Sequence, residues 1–264
     1  MQLEQILKIG NFDLHIHTTA SDGVYTPSDI VQKAYGLGLK TIAITDHDTM
    51  SGVKEAVEAG KELGIKVIPG VELSAKHKGK SVDVLGYNIF ENMELNEILV
   101  QLNEGREARA LRIINKFKEL NMSITIEDVR EFSGEGNIGR PHIAKAIVKN
   151  GFVSDIQTVF DKYLADGKPA AIDKLIIKPQ KAIELIHNAG GLAVLAHPVL
   201  IGDDDLVREL LDLNFDGIEV WHRKQDKEDN KRYKKIAEEF GLLMTGGSDF
   251  HNDEHSLGQF GIDW

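Results

Sequence analysis

The segment Phe12-Asp13-Leu14-His15-Ile16-His17 places two imidazoles at i and i+2 beside a carboxylate. Side chains on a strand alternate faces, so Asp13, His15 and His17 share one face while Phe12, Leu14 and Ile16 share the other. Two rings set this way can aim at one divalent ion, and Asp13 can orient a ligand from behind. Other apolar runs deliver similar donors. Thr41 to Thr45 leads into Asp46-His47-Asp48, and Val67 to Val71 leads into Glu72. Leu192 to Ala196 leads into His197, and Leu242 to Thr245 leads into Gly246-Gly247-Ser248-Asp249-Phe250-His251. A single case could be a helix cap or a solvated turn. Five cases at equivalent places form a pattern, with Asp46 and Asp48 as bracing carboxylates alongside Asp13.

Two more acids join the candidate set with two readings each. Asp22 precedes Gly23 in Thr19-Ala20-Ser21-Asp22-Gly23, where it is a turn residue or a ligand. Asp83 interrupts the apolar run Val82-Asp83-Val84-Leu85, where it is a ligand or sits on a solvated strand face. Histidine nitrogen mixed with carboxylate oxygen suits Mn, Fe(II) or Zn. The donors are His15, His17, Asp22, His47, Glu72, Asp83, His197, Asp249 and His251, too many for one ion. Two or three divalent ions are expected. Clustered ions polarise a phosphoryl group and activate water near neutral pH.

Such donors need strand ends that converge. Thr26-Pro27 opens a helix running to Leu37, and Ser51 to Leu63 forms another that stops at Gly64. Val67 to Val71 and Ser81 to Tyr87 are further strands. From about Glu94 to Asp161 the pattern turns helical, with helices at Leu95 to Leu120, Ile126 to Phe132 and Pro141 to Asn150. Alternation then resumes with a helix from Pro179 to Asn188, a strand from Leu192 and a helix from Leu206 to Leu213. A strand from Gly217 to Trp221, a helix from Lys227 to Phe240 and a strand from Leu242 follow. Strands alternating with helices imply parallel βα units. Donors at several strand ends favour a closed or nearly closed barrel, whose functional residues gather at the C-terminal strand ends. The expected organisation is a barrel from 1–93 and 168–264 with a helical insertion or lid at 94–167.

The bulk composition limits the partners. The 264 residues carry a formal net charge of −11, which excludes a broad basic surface for long duplex nucleic acid. A small phosphorylated substrate or short RNA remains compatible, because bound cations add local charge. There is no cysteine, so any metal relies on His, Asp or Glu. Met1 to Gly10 lacks a secretory core, and no run is long and apolar enough to span a membrane. A cytoplasmic location is expected.

Taken together, Asp13-Leu14-His15-Ile16-His17, Ser21-Asp22-Gly23, Thr45-Asp46-His47-Asp48, Gly70-Val71-Glu72, Ala196-His197-Pro198 and Gly247-Ser248-Asp249-Phe250-His251 resemble the PHP (polymerase and histidinol phosphatase) domain family. The resemblance runs from about Phe12 to Gly258. It implies a distorted (β/α)7 barrel, a trinuclear metal centre and phosphoesterase chemistry. By the resemblance, His15, His17, Glu72 and Asp249 hold one ion, and Asp22, His47 and His251 a second. Glu72 bridges to a third with Asp83 and His197. Family members usually carry His where this chain has Asp83.

Within the helical stretch, Gly139-Arg140-Pro141-His142-Ile143-Ala144 is similar to the insertion of bacterial nucleoside 3′,5′-bisphosphate phosphatases, some of which are 5′→3′ exonucleases on short RNA. That resemblance makes Arg140 a phosphate-binding and positioning residue, for which a planar guanidinium fork is suited. The other reading is a solvated residue at a helix N-terminus. His142 either joins Arg140 at the substrate or packs in its helix. His222 and Arg223 follow a strand, where they could contact phosphate or help protonate a leaving oxygen. The expected activity is metal-dependent hydrolysis of a phosphate ester on a small nucleotide or short oligonucleotide. The alternatives are a histidinol-phosphate-type phosphatase and a non-catalytic metal-binding regulatory module.

Overall fold

The computed structural model describes residues 10–262 except Asp166 and Lys174; the N-terminal segment before Gly10, read above as no secretory core, lies outside them. Local signals start and stop the elements as physical chemistry requires. Helix α1 (Pro27–Gly36) begins with Pro at its first turn and with the Thr26 side chain accepting from the Asp29 N–H. Helix α2 (Val53–Leu63) stops at Gly64, which takes a left-handed φ of +72°. Strands β1 (Phe12–Asp13), β2 (Thr41–Ile44), β3 (Lys66–His77) and β4 (Lys80–Tyr87) complete this first part.

Next come helices α3 (Met93–Glu119), α4 (Ile126–Ser133), α5 (Arg140–Lys149) and the short α6 (Ile156–Val159), the last continuing into a π turn at Phe160–Leu164. Then follow α7 (Pro179–Asn188), β5 (Leu192–Leu195), α8 (Asp204–Leu211), β6 (Gly217–His222), α9 (Lys227–Phe240) and β7 (Leu243–Gly247). The short α6 and the π turn were not expected from the sequence. They carry too few residues for a helical period to register.

The seven strands pair in chain order. β1, β2 and β3 run parallel, as do β5, β6 and β7. β4 is the exception and runs antiparallel to both β3 and β5. The reason is local. Lys78 and Gly79 both take positive φ (+47° and +84°), which turns β3 straight into a hairpin. A parallel crossover needs a dozen or more residues, and none are available there. The expectation of uniformly parallel units is corrected at this strand, and β3 extends six residues beyond Val71, to His77.

The far edges meet. The Leu14 N–H donates to the Gly246 carbonyl (3.2 Å), His17 N–H to Phe250 (2.9 Å) and Phe250 N–H to His15 (3.3 Å). The sheet is thereby a nearly closed barrel. This switch of partners also breaks the expected alternation after β1. Phe12 and Leu14 pack in the inner cluster with Ala43, Ile68, Tyr87, Val194 and Phe260. Ile16 instead joins the larger cluster formed with the surrounding helices. A third apolar cluster, built from residues such as Phe117, Val129, Ile147 and Leu164, belongs to α3–α6 and the π turn. Among the described residues, no helix is long and apolar enough to cross a membrane.

Candidate metal centre

Glu72 lies at the middle of the site. β3 delivers it fully buried, and its Oε2 sits 2.9 Å from His47 Nδ1, 3.3 Å from His17 Nε2 and 3.5 Å from His15 Nε2. Its Oε1 lies 3.0 Å from His197 Nε2. Asp249 Oδ1 approaches His17 Nε2 and His251 Nδ1, each at 3.3 Å. Asp22 Oδ1 lies 3.3 Å from His251 Nε2 and 3.8 Å from His17 Nδ1. The structure thus brings eight of the nine expected donors into one cluster.

The donor atoms fall into groups whose members lie within 4.8 Å of one another. One group is His17, Asp22, His47 and His251; a second is His15, His17 and Asp249; a third is His15, Glu72 and His197. The groups share residues, as a multinuclear centre requires. Several donor atoms are buried with no hydrogen-bond partner: His15 Nε2, both ring nitrogens of His17, Asp22 Oδ1, His47 Nδ1 and Glu72 Oε2. The 2.9 Å approach of His47 to Glu72 is close in distance yet does not have hydrogen-bond geometry. Buried polar atoms in this state are costly, and divalent cations would satisfy them. The donor set fits hard or borderline ions.

Asp83 belongs to none of these groups. It lies in β4 opposite Ser74, and its charge acts on His197 and Arg106. The expected third grouping is therefore reassembled around His15, Glu72 and His197. The reason is the hairpin: its register puts Asp83 beside Ser74, two pairs further along than Glu72 and Leu85.

Electrostatics follow from the crowding of acids. Burial disfavours the charged ring of His197, but its hydrogen bond and Coulombic attraction to Glu72 outweigh this and raise it to about 9. Burial likewise opposes a charged His251, and Asp22 with Asp249 overcome it, again to about 9. Burial pushes the Asp22 and Asp249 carboxyls up, but His251 leads the partners that hold both well below the usual range.

The bracing carboxylates act on backbone more than on rings. Asp13 accepts from the backbone N–H of His15 (3.2 Å), Ser248 (2.9 Å) and Gly258 (2.8 Å), and from Ser248 Oγ (2.5 Å). It ties β1 to the loop after β7 and does not orient an imidazole. Asp46 accepts from Thr18 N–H, Thr18 Oγ1 and Ser21 Oγ at 2.6–2.7 Å, which braces the loop that carries Asp22. Asp48 accepts from Ser74 N–H (2.9 Å) and pairs with the buried Arg106 of α3.

The carboxylate behind a ring is Glu219, which the sequence reading passed over. It is fully buried on β6, lies 3.2 Å from His15 Nδ1 and accepts the His197 N–H at 2.7 Å. A signal existed. Glu219 interrupts the apolar strand Gly217-Ile218-Glu219-Val220-Trp221, as Asp83 interrupts its own, and a buried acid needs a partner. Together with His15 and His222 it forms a fourth donor group.

Three site residues adopt left-handed backbone: Asp48 (φ +52°), His197 (φ +25°) and Asp249 (φ +51°). Such conformations are unfavourable for residues with a Cβ and are held by surrounding structure. Gly247 meets a different demand. A Cβ there would overlap Cβ and the backbone nitrogen of His15, so only glycine lets β7 close against the first metal-binding strand.

The remaining candidates lie around the rim. His222 is buried, with Nδ1 accepting the Lys224 N–H (3.1 Å), so Nε2 carries the proton toward Asp249 Oδ2 at 3.4 Å. Burial lowers its pKa. Arg223 Nη2 donates to the same oxygen at 2.7 Å. His142 is turned into its own helix end, where Nδ1 accepts the Gly139 N–H (3.1 Å), and burial lowers it to about 4. Of the two readings of His142, this bond fits the one that packs it in its helix. Arg140 opens α5 and donates to the Leu164 carbonyl (3.0 Å); it stands beside Gly139, whose Cβ position is 3.3 Å from Asp22 Oδ2. His77 and His187 pair with the acids Glu209 (3.0 Å) and Asp216 (2.7 Å) away from the cluster.

Comparison with known proteins agrees with this geometry. A family model described as the PHP domain matches residues 13–189. The chain is 36% identical over 247 residues to a 5′-3′ exoribonuclease of Haemophilus influenzae, covering 91% of this chain and 89% of that protein. It is 32% identical over 253 residues to a 3′,5′-nucleoside bisphosphate phosphatase of Chromobacterium violaceum, covering 92% and 88%. A crystal structure from Bifidobacterium adolescentis, described as a metal-dependent phosphoesterase, superposes with a TM-score of 0.87 at 31% identity, covering 94% of this chain and 91% of that one.

Proposed function

The chain belongs to the PHP domain family and is a metal-dependent phosphoesterase; on that premise we propose that it hydrolyses a phosphate ester of a small nucleotide, such as a nucleoside 3′,5′-bisphosphate, or of a short oligonucleotide. The observation that carries the proposal is the shared cluster around Glu72, with Arg140 beginning the helix that packs against Asp22. His15, His17, Glu72 and Asp249 are the residues for one ion, and Asp22, His47 and His251 those for a second, with His17 between them. His197 and Glu72 offer a third position, on which the charge of Asp83 also acts. Two or three Mn, Fe or Zn ions, when bound, supply Lewis acidity toward a phosphoryl oxygen and toward water.

The chain's own residues supply the rest. Glu219 and the Asp13–Ser248 bond hold His15 and the loop after β7 in fixed positions. Arg223 and His222 sit on the outer oxygen of Asp249, where they fix its inner oxygen toward the histidines. His222 holds its buried Nε2 proton against Asp249, and in this reading it is the group that serves the leaving oxygen. Arg140 positions the substrate phosphate. The assay is turnover of adenosine 3′,5′-bisphosphate against histidinol phosphate by the Mn-loaded protein. Preferential hydrolysis of the nucleotide is expected. Selective hydrolysis of histidinol phosphate would replace the nucleotide assignment with the amino-acid biosynthetic one.

A further inference from the structure

The ion positions proposed above are built differently. His15, His17 and Glu72 are fully buried, on the segment that continues β1 and on β3. Asp22, His47 and His251 are only partly buried. Asp22 lies on the loop between β1 and α1, and His251 on the loop after β7, at opposite ends of the chain. Neither stands on a strand that fixes its place, yet Asp22 Oδ1 lies 3.3 Å from His251 Nε2. The two loops must therefore be held to each other.

The contacts between them run outward from the donors. The Val24 N–H donates to the His251 carbonyl at 2.9 Å. The Tyr25 ring stacks on Phe250 with centroids 6.0 Å apart. At the outer end the Tyr25 hydroxyl donates to Asp253 Oδ2. Lys33 of α1 closes a triangle. Its Nζ lies 3.0 Å from Asp253 Oδ1, 3.4 Å from the Tyr25 hydroxyl and 4.5 Å from the centre of the Tyr25 ring.

The rest of the Asp22 loop is already tight. The Thr19 N–H donates to the Tyr25 carbonyl (2.9 Å), and a Cβ on Gly23 would lie 2.4 Å from the His17 carbonyl oxygen. Contact with the barrel thus blocks motion inward. Motion of Asp22 away from His251 is resisted from the outer side, where the triangle sits. A lone exposed ion pair contributes little, because solvent screens it. Here three groups share the contact, each touching the other two, and they join segments from the two ends of the chain.

We propose that Tyr25, Asp253 and Lys33 form a clasp that positions Asp22 and His251 for one ion and leaves the remaining ion positions untouched. The inference rests on the metal reading above and adds which parts of the chain set the affinity of one position. The clasp touches neither substrate nor ion and acts through the two loops. When it is open, the ion has to order the loops itself, and that cost is subtracted from binding. Partners behind a metal ligand are typically worth roughly 10–100-fold in affinity. The Asp253 side chain is 66% exposed, so the smaller effect of about fivefold is expected here.

The test is calorimetric titration of the metal-free protein with Mn(II) alone, in the parent, Tyr25→Phe, Asp253→Asn and the double variant. Tyr25→Phe removes the hydroxyl and keeps a ring against Phe250. One Mn equivalent is expected to weaken about fivefold in each single variant while the other equivalents bind as in the parent. The double variant is expected to weaken no further than Asp253→Asn, as two ends of one contact require. An unchanged titration, or an equal fall in every equivalent, which general loosening of the fold produces, would overturn the clasp.

Asp22→Asn identifies the equivalent concerned, since it and Tyr25→Phe are expected to weaken the same step of the titration. If Asp22→Asn loses that step and Tyr25→Phe does not, the clasp alone is overturned. If Asp22→Asn binds Mn like the parent, the metal assignment of Asp22 is overturned and the clasp goes with it.

Discussion

At the scale of single residues, the site is a balance between buried donors and the groups that aim them. His15 is held at Nδ1 by Glu219, while its Nε2 faces the cluster 3.5 Å from Glu72 with no hydrogen-bond partner. A carboxylate on the far nitrogen fixes the tautomer and raises the ring's basicity. Replacing Glu219→Ala is therefore expected to weaken metal affinity roughly 10–100-fold and to lower kcat in step. Metal analysis after gel filtration, read beside the kinetics, checks this. Full metal retention would show that His15 needs no such partner. The same loss would free the His197 N–H, which Glu219 also holds, so the two groups at this corner are expected to weaken together.

At the scale of elements, closure of the sheet decides whether the donors meet at all. β7 carries Gly246 and Gly247 against the first strand segment, and Asp13 draws in Ser248 and Gly258 behind them. The Gly247→Ala change puts a methyl into the His15 backbone and is expected to destabilise the protein by about 1–3 kcal/mol. It should also reduce bound metal, since His15 must move; thermal unfolding and metal content read the two effects separately. The helical segments are tied to the same loops. Arg106 of α3 binds Asp48, and Asn137 Nδ2 donates to the His47 carbonyl at 2.8 Å. The metal-facing loop 46–48 is thus held from the barrel side by Glu72 and Ser74 and from the helical side by Arg106 and Asn137.

At the scale of the whole molecule, stability and metal are linked through protons. In the metal-free protein His197 and His251 are raised to about 9, Glu72 and Asp22 respectively outweighing the burial that opposes charge. A histidine whose folded pKa is raised stabilises the fold below its ordinary value near 6.5 and loses that contribution as pH climbs through 9. Metal binding needs the neutral rings, so it gains over the same window. The expected outcome is opposite slopes: between pH 6.5 and 9 the chelated protein loses unfolding temperature while metal affinity rises. At neutral pH, chelation is expected to lower the unfolding temperature by roughly 5–10 °C relative to a hundredfold excess of metal over its Kd. Scanning calorimetry at several pH values, with and without chelator, tests both. Proton release on metal addition, measured in buffers of different ionisation enthalpy, provides an independent check.

What could be read from the chain alone was whatever depends on neighbours in sequence. Strand and helix periods, the Thr26-Pro27 start and the Gly64 stop are local, and the helices Pro179–Asn188 and Lys227–Phe240 fall where their periodicity puts them. Donors following apolar strands were visible for the same reason, because a strand end projects whatever residue follows it. Tertiary structure decided what depends on register and closure. The Lys78-Gly79 turn reversed β4 and set Asp83 apart from the donor groups. Contact between β1 and β7 put Asp13 on backbone amides instead of a ring. The histidine-orienting acid, Glu219, lies 204 residues from His15. Sequence spacing carries no term for such meetings; they arise only when burial and strand pairing bring remote segments into one small volume.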